Sequence, residues 1–439
     1  MARSNAWRKP FVTTVEDLSH DGRGVAKVDG KVVFIPGVLP GETVEVQRVR
    51  RSKKHETAKL LKLITPSEQR IAAKCQSFEV CGGCSLQHIS ASDQIQYKQQ
   101  QLLENLQRIG NVVPKQVLEP LSADEWAYRR RARLGVRYVH KKNRVLIGFR
   151  EKFSNYITDM PGCEVIDARV NQLLPDLVEL ISALECKREV PQIEVSAGDN
   201  MVALVFRHLV DLNDADSQQF TDFALKHADI QVYLQRGGLD TVTPLQKYPP
   251  LSYALGDDLE LEFEPIDFVQ VNAGLNKLMI RRALKFLQVH KNNKVLDLFC
   301  GLGNFTLPLA KQAGQVVGVE GDAGLVQRAR DNARRNACDN VDFHVANLFE
   351  DFSQADWAKE TYDLLLIDPP RAGAEQVVQT KGMFGVERIV YISCHPGSLA
   401  RDAGHLVHQQ GFTLSHAGVM DMFPHTGHVE SIAVFERHV

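Results

Sequence analysis

The sequence predicts a multidomain α/β protein with an N-terminal OB-like β-barrel, a central α+β domain and a C-terminal Rossmann-like domain. Residues 8–66 contain short β-rich runs separated by Gly, Pro and Asp-Gly turns, as in a small barrel. A cysteine-rich stretch follows the barrel. From about residue 270 apolar strands alternate with amphipathic helices, which predicts a doubly wound parallel sheet. A chain of 439 residues has room for about three such domains.

The composition is that of an ordinary globular protein, with 44% hydrophobic and 24% charged residues. No apolar run reaches the ~18 residues that a membrane-spanning helix needs. The N-terminal stretch "MARSNAWRKPFVTT" has positive charge but no apolar core, so it does not read as a secretory signal. We therefore expect a cytoplasmic protein without a membrane partner, and no obligate protein partner is evident.

Two basic zones stand out from a chain whose net charge is −2. Residues 1–74 carry 15 Lys and Arg against 8 Asp and Glu, and residues 127–152 carry 10 against 1. The second zone contains Tyr128, Tyr138 and Phe149. Basic side chains can hold phosphates while aromatic rings stack on bases, so nucleic acid is the expected partner. A solvated basic face is the alternative.

The domain boundaries follow from these patterns. The barrel is expected at 8–66, the central domain at 67–92 plus 124–267, and the C-terminal domain at 268–439. Residues 93–123 begin with a helix that we expect to pack on the C-terminal domain, with Ser92 and Asp93 as cap candidates and Gly110 as its stop. The run "PQIEVSAGDNMVALVFR" predicts a hairpin.

The run "NKVLDLFCGLGNFTLPLA" predicts a buried strand, a glycine turn and a helix start. Gly301 and Gly303 allow close approach of a ligand to the backbone, but Thr306 stands where a dinucleotide fingerprint has its third glycine. Glu320 ends the next strand and can accept hydrogen bonds from ribose hydroxyls, and Asn347 ends the third strand near an adenine edge. This pattern favours S-adenosylmethionine (SAM) over a nicotinamide cofactor or a degenerate site.

The last two strand ends carry reactive groups. Asp368 ends one strand in "LLLIDPPRAG", and Cys394 ends the next, "RIVYISC". Glu430 lies in the closing segment "FPHTGHVESIAVFE". A thiolate that adds to C6 of uracil activates C5 for methylation, and a base must then remove the C5 proton. Cys394 and Glu430 fit these roles, with Arg371 or Gln270 to stabilise the enolate; a structural cysteine is the alternative.

The cysteines of the central region form a separate group. Cys75, Cys81 and Cys84 have the spacing C-x5-C-G-G-C, and Cys163 follows in "DMPGCEVI". Thiols clustered in this way in an intracellular protein indicate a metal site. Four thiolates can bind structural zinc or an iron–sulfur cluster, and the spacing does not separate these two.

Five motifs together resemble the RNA uracil-C5 methyltransferases. They occur in the family's order: "FVQVN", "DLFCGLGNF", "DPPR", "SCHP" and "HTGHVE". The resemblance implies Cys394 as nucleophile and Glu430 as base. It also implies a set of residues around SAM or the target base: Gln270, Phe299, Gly301, Glu320, Asn347 and Asp368. His395 stands where the family usually has Asn.

The order of domains is similar to the ribosomal-RNA branch of that family, which combines a TRAM barrel, this cysteine spacing and the catalytic domain. The branch implies a [4Fe–4S] cluster on Cys75, Cys81, Cys84 and Cys163, and 23S ribosomal RNA as the substrate. We expect Arg131, in "WAYRRRARL", to contact the RNA. The alternatives are a transfer-RNA uridine methyltransferase and a non-catalytic iron–sulfur RNA-binding protein.

Overall fold

The computed structural model describes residues 5–256 and 258–437, so part of the N-terminal stretch and the last two residues lie outside the described chain. Contacts divide the chain into two compact units. The first contains 5–101, 149–158 and 423–428, and the second contains 102–148, 159–422 and 429–437, within the described residues. The limits of the two units do not coincide with the predicted boundaries of the central domain or of the segment 93–123. Those domain boundaries stay predictions.

The first unit begins with a six-stranded sheet. Its strands are β1 (Phe11–Thr14), β2 (Asp17–Leu18), β3 (Arg23–Val28), β4 (Lys31–Pro36), β5 (Thr43–Arg51) and β6 (His55–Thr65). The spatial order is β1-β5-β6-β4-β3-β2, and only β4 and β6 pair in parallel. Apolar side chains that alternate along the strands form one core, which includes Ala26, Val33, Ile35 and Val46.

Helix α1 covers Ala91–Arg108. Its cap is Ser90, whose Oγ accepts the backbone N–H of Asp93 at 3.1 Å and donates to the Asp93 carboxylate at 2.6 Å. Ser92 and Asp93 therefore lie in the first turn, and the predicted cap was wrong by two or three residues. The Ser90 side chain thus satisfies one backbone amide that the helix itself leaves unpaired.

The second unit contains a mixed sheet of six strands from the middle of the chain. Its elements and the short strands beside them are β7 (Gln116–Val117), β8 (Arg131–Val139), β9 (Arg144–Gly148), α2 (Ala168–Ala183), β10 (Gln192–Ala197), β11 (Val202–Arg207), α3 (Asp214–Lys226), β12 (Ile230–Gln235), β13 (Val242–Pro244), β14 (Leu251–Ala254) and β15 (Glu260–Phe263). The sheet order is β13-β12-β11-β10-β8-β9. The antiparallel pairing of β10 with β11 confirms the predicted hairpin.

The C-terminal part of the second unit alternates helices and strands. They are α4 (Ala273–Leu287), β16 (Lys294–Leu298), α5 (Thr306–Ala310), β17 (Gln315–Glu320), α6 (Ala323–Arg335), β18 (Val341–Val345), β19 (Leu364–Ile367), α7 (Glu375–Val378), β20 (Arg388–Ser393), α8 (Pro396–His408), β21 (Thr413–Met420) and β22 (Glu430–Glu436). Single 3₁₀ turns occur at Asn5–Arg8, His140–Lys142, Leu239–Thr241, Asp356–Lys359 and Met383–Gly385.

These strands form an eight-stranded sheet in the order β18-β17-β16-β19-β20-β22-β21-β7. The five strands from β18 to β20 are parallel, as predicted. Strand β22 is antiparallel to both β20 and β21, an addition at this edge that the prediction of a doubly wound parallel sheet did not include. A hairpin needs no crossover helix, and here β21 and β22 are joined by a loop alone.

A membrane-spanning helix must be long and apolar, and the helices of the described residues differ from this. None of them contains an apolar stretch long enough to cross a membrane.

Candidate active site at the edge of the C-terminal sheet

Cys394 and Glu430 are brought together by the register of two strands. In the antiparallel pair β20 and β22, Ser393 lies opposite Ser431, and the Ser431 hydroxyl donates to the Ser393 carbonyl at 3.0 Å. One residue further toward the sheet edge, the chain places Cys394 on one side and Glu430 on the other. Side chains opposite each other in such a pair lie on the same face. The predicted nucleophile and base are therefore neighbours.

The thiol of Cys394 is half-buried and holds its proton tightly. Burial raises its pKa to about 11, with further increases from the Glu430 and Asp368 carboxyls. The Arg371 guanidinium acts in the opposite direction and is the cationic neighbour that the sequence could not reveal.

Three carboxyl groups at this edge also hold their protons. Burial raises the pKa of Asp368 to about 7 and the pKa of Asp297 to about 8, although a 2.5 Å bond from the Thr306 hydroxyl opposes the change at Asp297. Burial and the charge of Asp368 raise the pKa of Glu430 well above its usual range. The second oxygen of Asp297 is buried and has no hydrogen-bond partner among the described residues. Such a set of under-compensated carboxyls suits a cationic ligand.

The glycine loop after β16 leaves an open space beside its backbone. Gly301 has a φ of +54°, and a Cβ added there would meet no atom within 4 Å. Phe299 also adopts a positive φ, +63°, which is rare for a bulky side chain and is typical of functional sites. The Glu320 carboxylate, at the end of β17, accepts the Gly301 N–H at 3.2 Å. The loop and the acidic strand end thus face each other as the sequence predicts.

Two further predicted ligands flank this loop. Asn347 is exposed after β18, and its side-chain oxygen accepts the N–H of Phe349 at 3.1 Å. The Phe349 ring, half exposed, lies 5.7 Å from the Phe299 ring. Gln270 is half-buried in the segment before α4, and Phe268, two residues earlier, is 71% exposed. Asn347 and Phe349 are thus joined to the glycine loop through the Phe299 ring.

A pair of asparagines that sequence reasoning did not single out joins α4 to the glycine loop. Asn276 on α4 and Asn304 in the glycine loop exchange two side-chain hydrogen bonds of 2.8 and 3.0 Å. Asn272 caps α4 by accepting the Leu275 N–H at 3.0 Å. Asn272 and Asn304 lie in the quoted motifs "FVQVN" and "DLFCGLGNF", which was the available signal, whereas Asn276 lies outside both. Together they fix the helix after Gln270 against the loop that contains Gly301.

His395, which departs from the family pattern, has a structural role that Asn could also fill. It is the N-cap residue of α8, and its Nδ1 accepts the Ser398 N–H at 3.1 Å. An asparagine side chain can accept the same bond. The substitution therefore keeps a hydrogen-bond acceptor at the start of the helix that follows the nucleophile.

Arg131 lies against protein groups. Its guanidinium donates to the carbonyls of Pro265 and Asp267 and to the Ser196 hydroxyl, and burial lowers its pKa. These bonds hold the segment that leads to Gln270. Contact with RNA stays a prediction for this residue.

The cysteines divide between the two units. Cys75, Cys81 and Cys84 belong to the first unit, and Cys163 belongs to the second. Cys81 is buried and its Sγ accepts the Gly83 N–H at 3.4 Å. Among residues 5–256 and 258–437, no three His, Cys, Asp or Glu side chains form a group with the geometry of a metal site.

A sheet with this strand order and a glycine loop after β16 is the fold of α/β methyltransferases, and the comparison with known proteins places the chain in that class. The family model described as tRNA (Uracil-5-)-methyltransferase matches residues 90–438. A second model, the TRAM domain of tRNA (uracil(54)-C(5))-methyltransferase, matches residues 11–68. The N-terminal sheet is thus TRAM-like.

Individual relatives agree with the family models. Proteins named 23S rRNA (uracil(1939)-C(5))-methyltransferase RlmD are 51% identical in Xanthomonas campestris pv. campestris (strain 8004) and 50% identical in Stenotrophomonas maltophilia (strain R551-3), over 99% of both chains in each case. The crystal structure of Pyrococcus abyssi tRNA (uracil-54, C5)-methyltransferase in complex with S-adenosyl-L-homocysteine is 25% identical, with a TM-score of 0.74 over 97% of this chain and 100% of that one. The chain belongs to the tRNA (uracil-5-)-methyltransferase family, which confirms the resemblance.

The cap at His395 predicts how substitutions affect stability. His395→Asn should retain the free energy of unfolding within about 0.5 kcal/mol, whereas His395→Ala should lose about 1 kcal/mol because the Ser398 N–H loses its acceptor. Urea unfolding of the three proteins measures this. Equal stability of the Asn and Ala variants would contradict the capping role.

The raised pKa of Asp297 predicts a pH-dependent stability. Since this pKa is about 8 in the folded protein and near 3.8 in the unfolded chain, the folded state binds more protons between these values, and stability falls as pH rises through that window. The slope approaches about 1.4 kcal/mol per pH unit for one group. Asp297→Asn should remove this part of the slope in urea unfolding at pH 5, 6.5 and 8 without ligand. Identical slopes for variant and wild type would contradict the assignment.

Proposed function

We propose that the protein transfers a methyl group from SAM to C5 of a uridine in 23S ribosomal RNA. The observation that carries the proposal is that Cys394, directly after the last paired residue of β20, lies near enough to the Glu430 carboxyl for that carboxyl to raise the pKa of its thiol. The RNA is assigned from relatives that are 50–52% identical over at least 98% of both chains. A ribosomal RNA substrate would place the enzyme in the cytoplasm, and no membrane partner is needed.

Cys394 would begin the reaction. Its thiolate adds to C6 of the uracil ring, so that a carbon–sulfur bond forms and the electron pair of the C5–C6 double bond moves toward O4 as an enolate. The exposed Arg371 guanidinium, which already interacts with the thiol, can stabilise both the thiolate and the enolate oxygen. The target base must leave its stack, because the thiolate approaches perpendicular to the ring.

Glu430 would complete the reaction as its carboxylate form. After C5 has acquired the methyl group, Glu430 removes the remaining C5 proton, the freed electron pair restores the C5–C6 double bond, and the bond from C6 to the Cys394 sulfur breaks. The nucleophile leaves as a thiolate and the base holds one proton, so the step balances. Burial of Glu430, which is 3% exposed, keeps water from competing for this proton.

The residues of the glycine loop fit SAM. The open space beside the Gly301 backbone can admit SAM. The Glu320 carboxylate can accept hydrogen bonds from the ribose hydroxyls of SAM, and Asn347 can form a hydrogen bond with the adenine edge. Phe299 and Gln270 border the same space. When bound, SAM supplies the methyl group on a sulfonium cation. A cation beside Asp368 and Glu430 would also lower the pKa of the Cys394 thiol, which resolves the need for a thiolate.

RNA binding would use the basic zones. On the TRAM-like sheet, strand β5 ends in exposed Arg50 and Arg51, and Lys53 and Lys54 follow in the turn before β6. Arg133 on β8 is also exposed. These groups can neutralise phosphates, so binding should weaken as salt rises. Arg131 stays a predicted RNA contact.

A [4Fe–4S] cluster on Cys75, Cys81, Cys84 and Cys163 belongs to the same proposal. The donor chemistry fits, because three thiols occur in one loop and the Gly83 N–H already donates to a cysteine sulfur. The half-buried Lys152 interacts electrostatically with the same three thiols, and its ammonium can compensate the negative charge of a thiolate-bound cluster. The cluster would fix the loop; no step of methyl transfer requires it.

The mechanism predicts a trapped complex with 5-fluorouridine. Fluorine at C5 cannot leave as a proton. In the presence of SAM, a 23S rRNA fragment that carries 5-fluorouridine should therefore form a covalent adduct with the wild-type protein, and this adduct should survive denaturation. Cys394→Ala should form none. Cys338→Ala should form it as wild type does, because Cys338 lies between α6 and the start of β18, away from the strand ends that carry the reacting groups. The adduct is measured as a protein–RNA band on a denaturing gel.

The same assay on transfer RNA tests the substrate. An adduct with transfer RNA but not with the 23S rRNA fragment would refute the assignment of the RNA and leave the thiolate mechanism intact. No adduct with either RNA, using protein shown to bind SAM, would refute the mechanism and favour a non-catalytic RNA-binding protein.

The cluster predicts the metal content of the purified protein. Anaerobically purified wild type should be brown, with about four iron and four sulfide ions per chain. Cys81→Ser should lose the broad visible absorption, whereas Cys338→Ser should retain it. A colourless protein that contains zinc would contradict the cluster and support a structural zinc site.

A further inference from the structure

The six residues 423–428 precede the proposed base and differ from the chain around them. They cluster with the first unit, whereas Met422 and Glu430 belong to the second. Only Val429 separates this loop from Glu430 along the chain. Because the peptide backbone transmits position over two residues, whatever fixes residues 423–428 also limits where the Glu430 carboxylate can lie.

Gln94, on α1, fixes the centre of the loop. Its side chain is completely buried, and its Oε1 accepts the backbone N–H of His425 at 2.7 Å. Its Nε2 lies 3.1 Å from Nδ1 of His425 and 3.0 Å from the carbonyls of Leu86 and Ile89. His425 has a φ of +66°, an unfavourable conformation for a residue other than glycine. The bonds from Gln94 offset that cost.

Three further hydrogen bonds hold the same loop. Lys98 lies one helical turn after Gln94 and donates from Nζ to the Phe423 carbonyl at 3.0 Å. The backbone N–H groups of Ser85 and Leu86 both donate to the His425 carbonyl, at 2.9 and 3.0 Å. Ser85 directly follows Cys84, so the cysteine loop and α1 act on one backbone segment.

The barrel also contacts this loop, through a glycine. A Cβ added at Gly427 would lie 2.4 Å from the carbonyl carbon of Asp21, in the turn before β3, so the two backbones are packed without space for a side chain. Groups from three separate parts of the first unit thus meet on residues 423–428. A loop with no role beyond joining two strands would need no such set of buried contacts.

We propose that Gln94 is a positioning residue for Glu430, acting with Lys98 through the loop 423–428. The proposal rests on the proposed function, in which Glu430 removes the C5 proton. That step follows both the attack by Cys394 and the methyl transfer. Loss of positioning should therefore slow the release of the methylated RNA from Cys394 while the earlier bond formation proceeds, an effect that general loss of stability would not produce.

The experiment follows the covalent complex on a 23S rRNA fragment with ordinary uridine. Under single-turnover conditions with SAM, the protein–RNA band on a denaturing gel is measured over time. Gln94→Met, which keeps the side-chain volume but lacks the hydrogen bonds, should form the complex within threefold of the wild-type rate and resolve it at least tenfold more slowly. Lys98→Met should show the same change to a smaller extent. Gln96→Met, on the exposed face of α1, should behave as wild type.

The variant Glu430→Gln distinguishes the role of Glu430 as base from the role of Gln94 as its positioning residue. If Glu430→Gln accumulates the complex while Gln94→Met and Lys98→Met resolve it at the wild-type rate, the positioning role is refuted and the proposed function stands. If Glu430→Gln accumulates no complex, the role of Glu430 fails and the positioning role with it. A parallel loss of complex formation in Gln94→Met, at unchanged resolution rate, would mean that Gln94 only stabilises the fold and would also overturn the proposal.

Discussion

The antiparallel register between β20 and β22 is the constraint on which the site depends. Because Ser393 lies opposite Ser431, the next residue on each strand brings the thiol of Cys394 to the carboxyl of Glu430. In a wholly parallel sheet Glu430 would begin its strand at the opposite edge, about 20 Å from the other strand ends for a strand of this length. The reversal at the end of the sheet is what allows a residue near the C-terminus to complete a site made of parallel strand ends.

The buried carboxyl groups at this edge of the sheet have raised pKa values, which suits the binding of a cationic ligand. Burial alone raises the pKa of Asp368 and dominates the increases at Asp297 and Glu430, and the thiol of Cys394 is held protonated beside them. A protein optimised only for stability would replace these buried carboxyls with apolar groups. Their retention is consistent with a sulfonium cofactor, whose charge would favour the ionised forms of the nucleophile and the base.

Much of the fold and the site could be predicted because their signals are local. Gly301, Glu320 and Asp368 follow apolar runs that end at one sheet edge, and the structure puts them there. The direction of β22 could not be predicted, because the hydrophobic pattern of a buried strand is the same in either direction. Two cap candidates slightly later in the chain, Ser92 and Asp93, obscured Ser90. The bond between Gln94 and His425 joins residues 331 positions apart, and the pKa of Cys394 depends on carboxyls that only the folded chain brings near.

The most direct test of C5 methylation is the fate of the hydrogen on that carbon. We would prepare a 23S rRNA fragment with tritium at C5 of its uridines, incubate it with the protein and SAM, and compare tritium released to water with methyl groups transferred. One tritium released for each methyl group, and neither event with Cys394→Ala, is the expected result. Methyl transfer without release of tritium would place the new methyl group elsewhere on the nucleotide and contradict the role of Cys394 and Glu430 together.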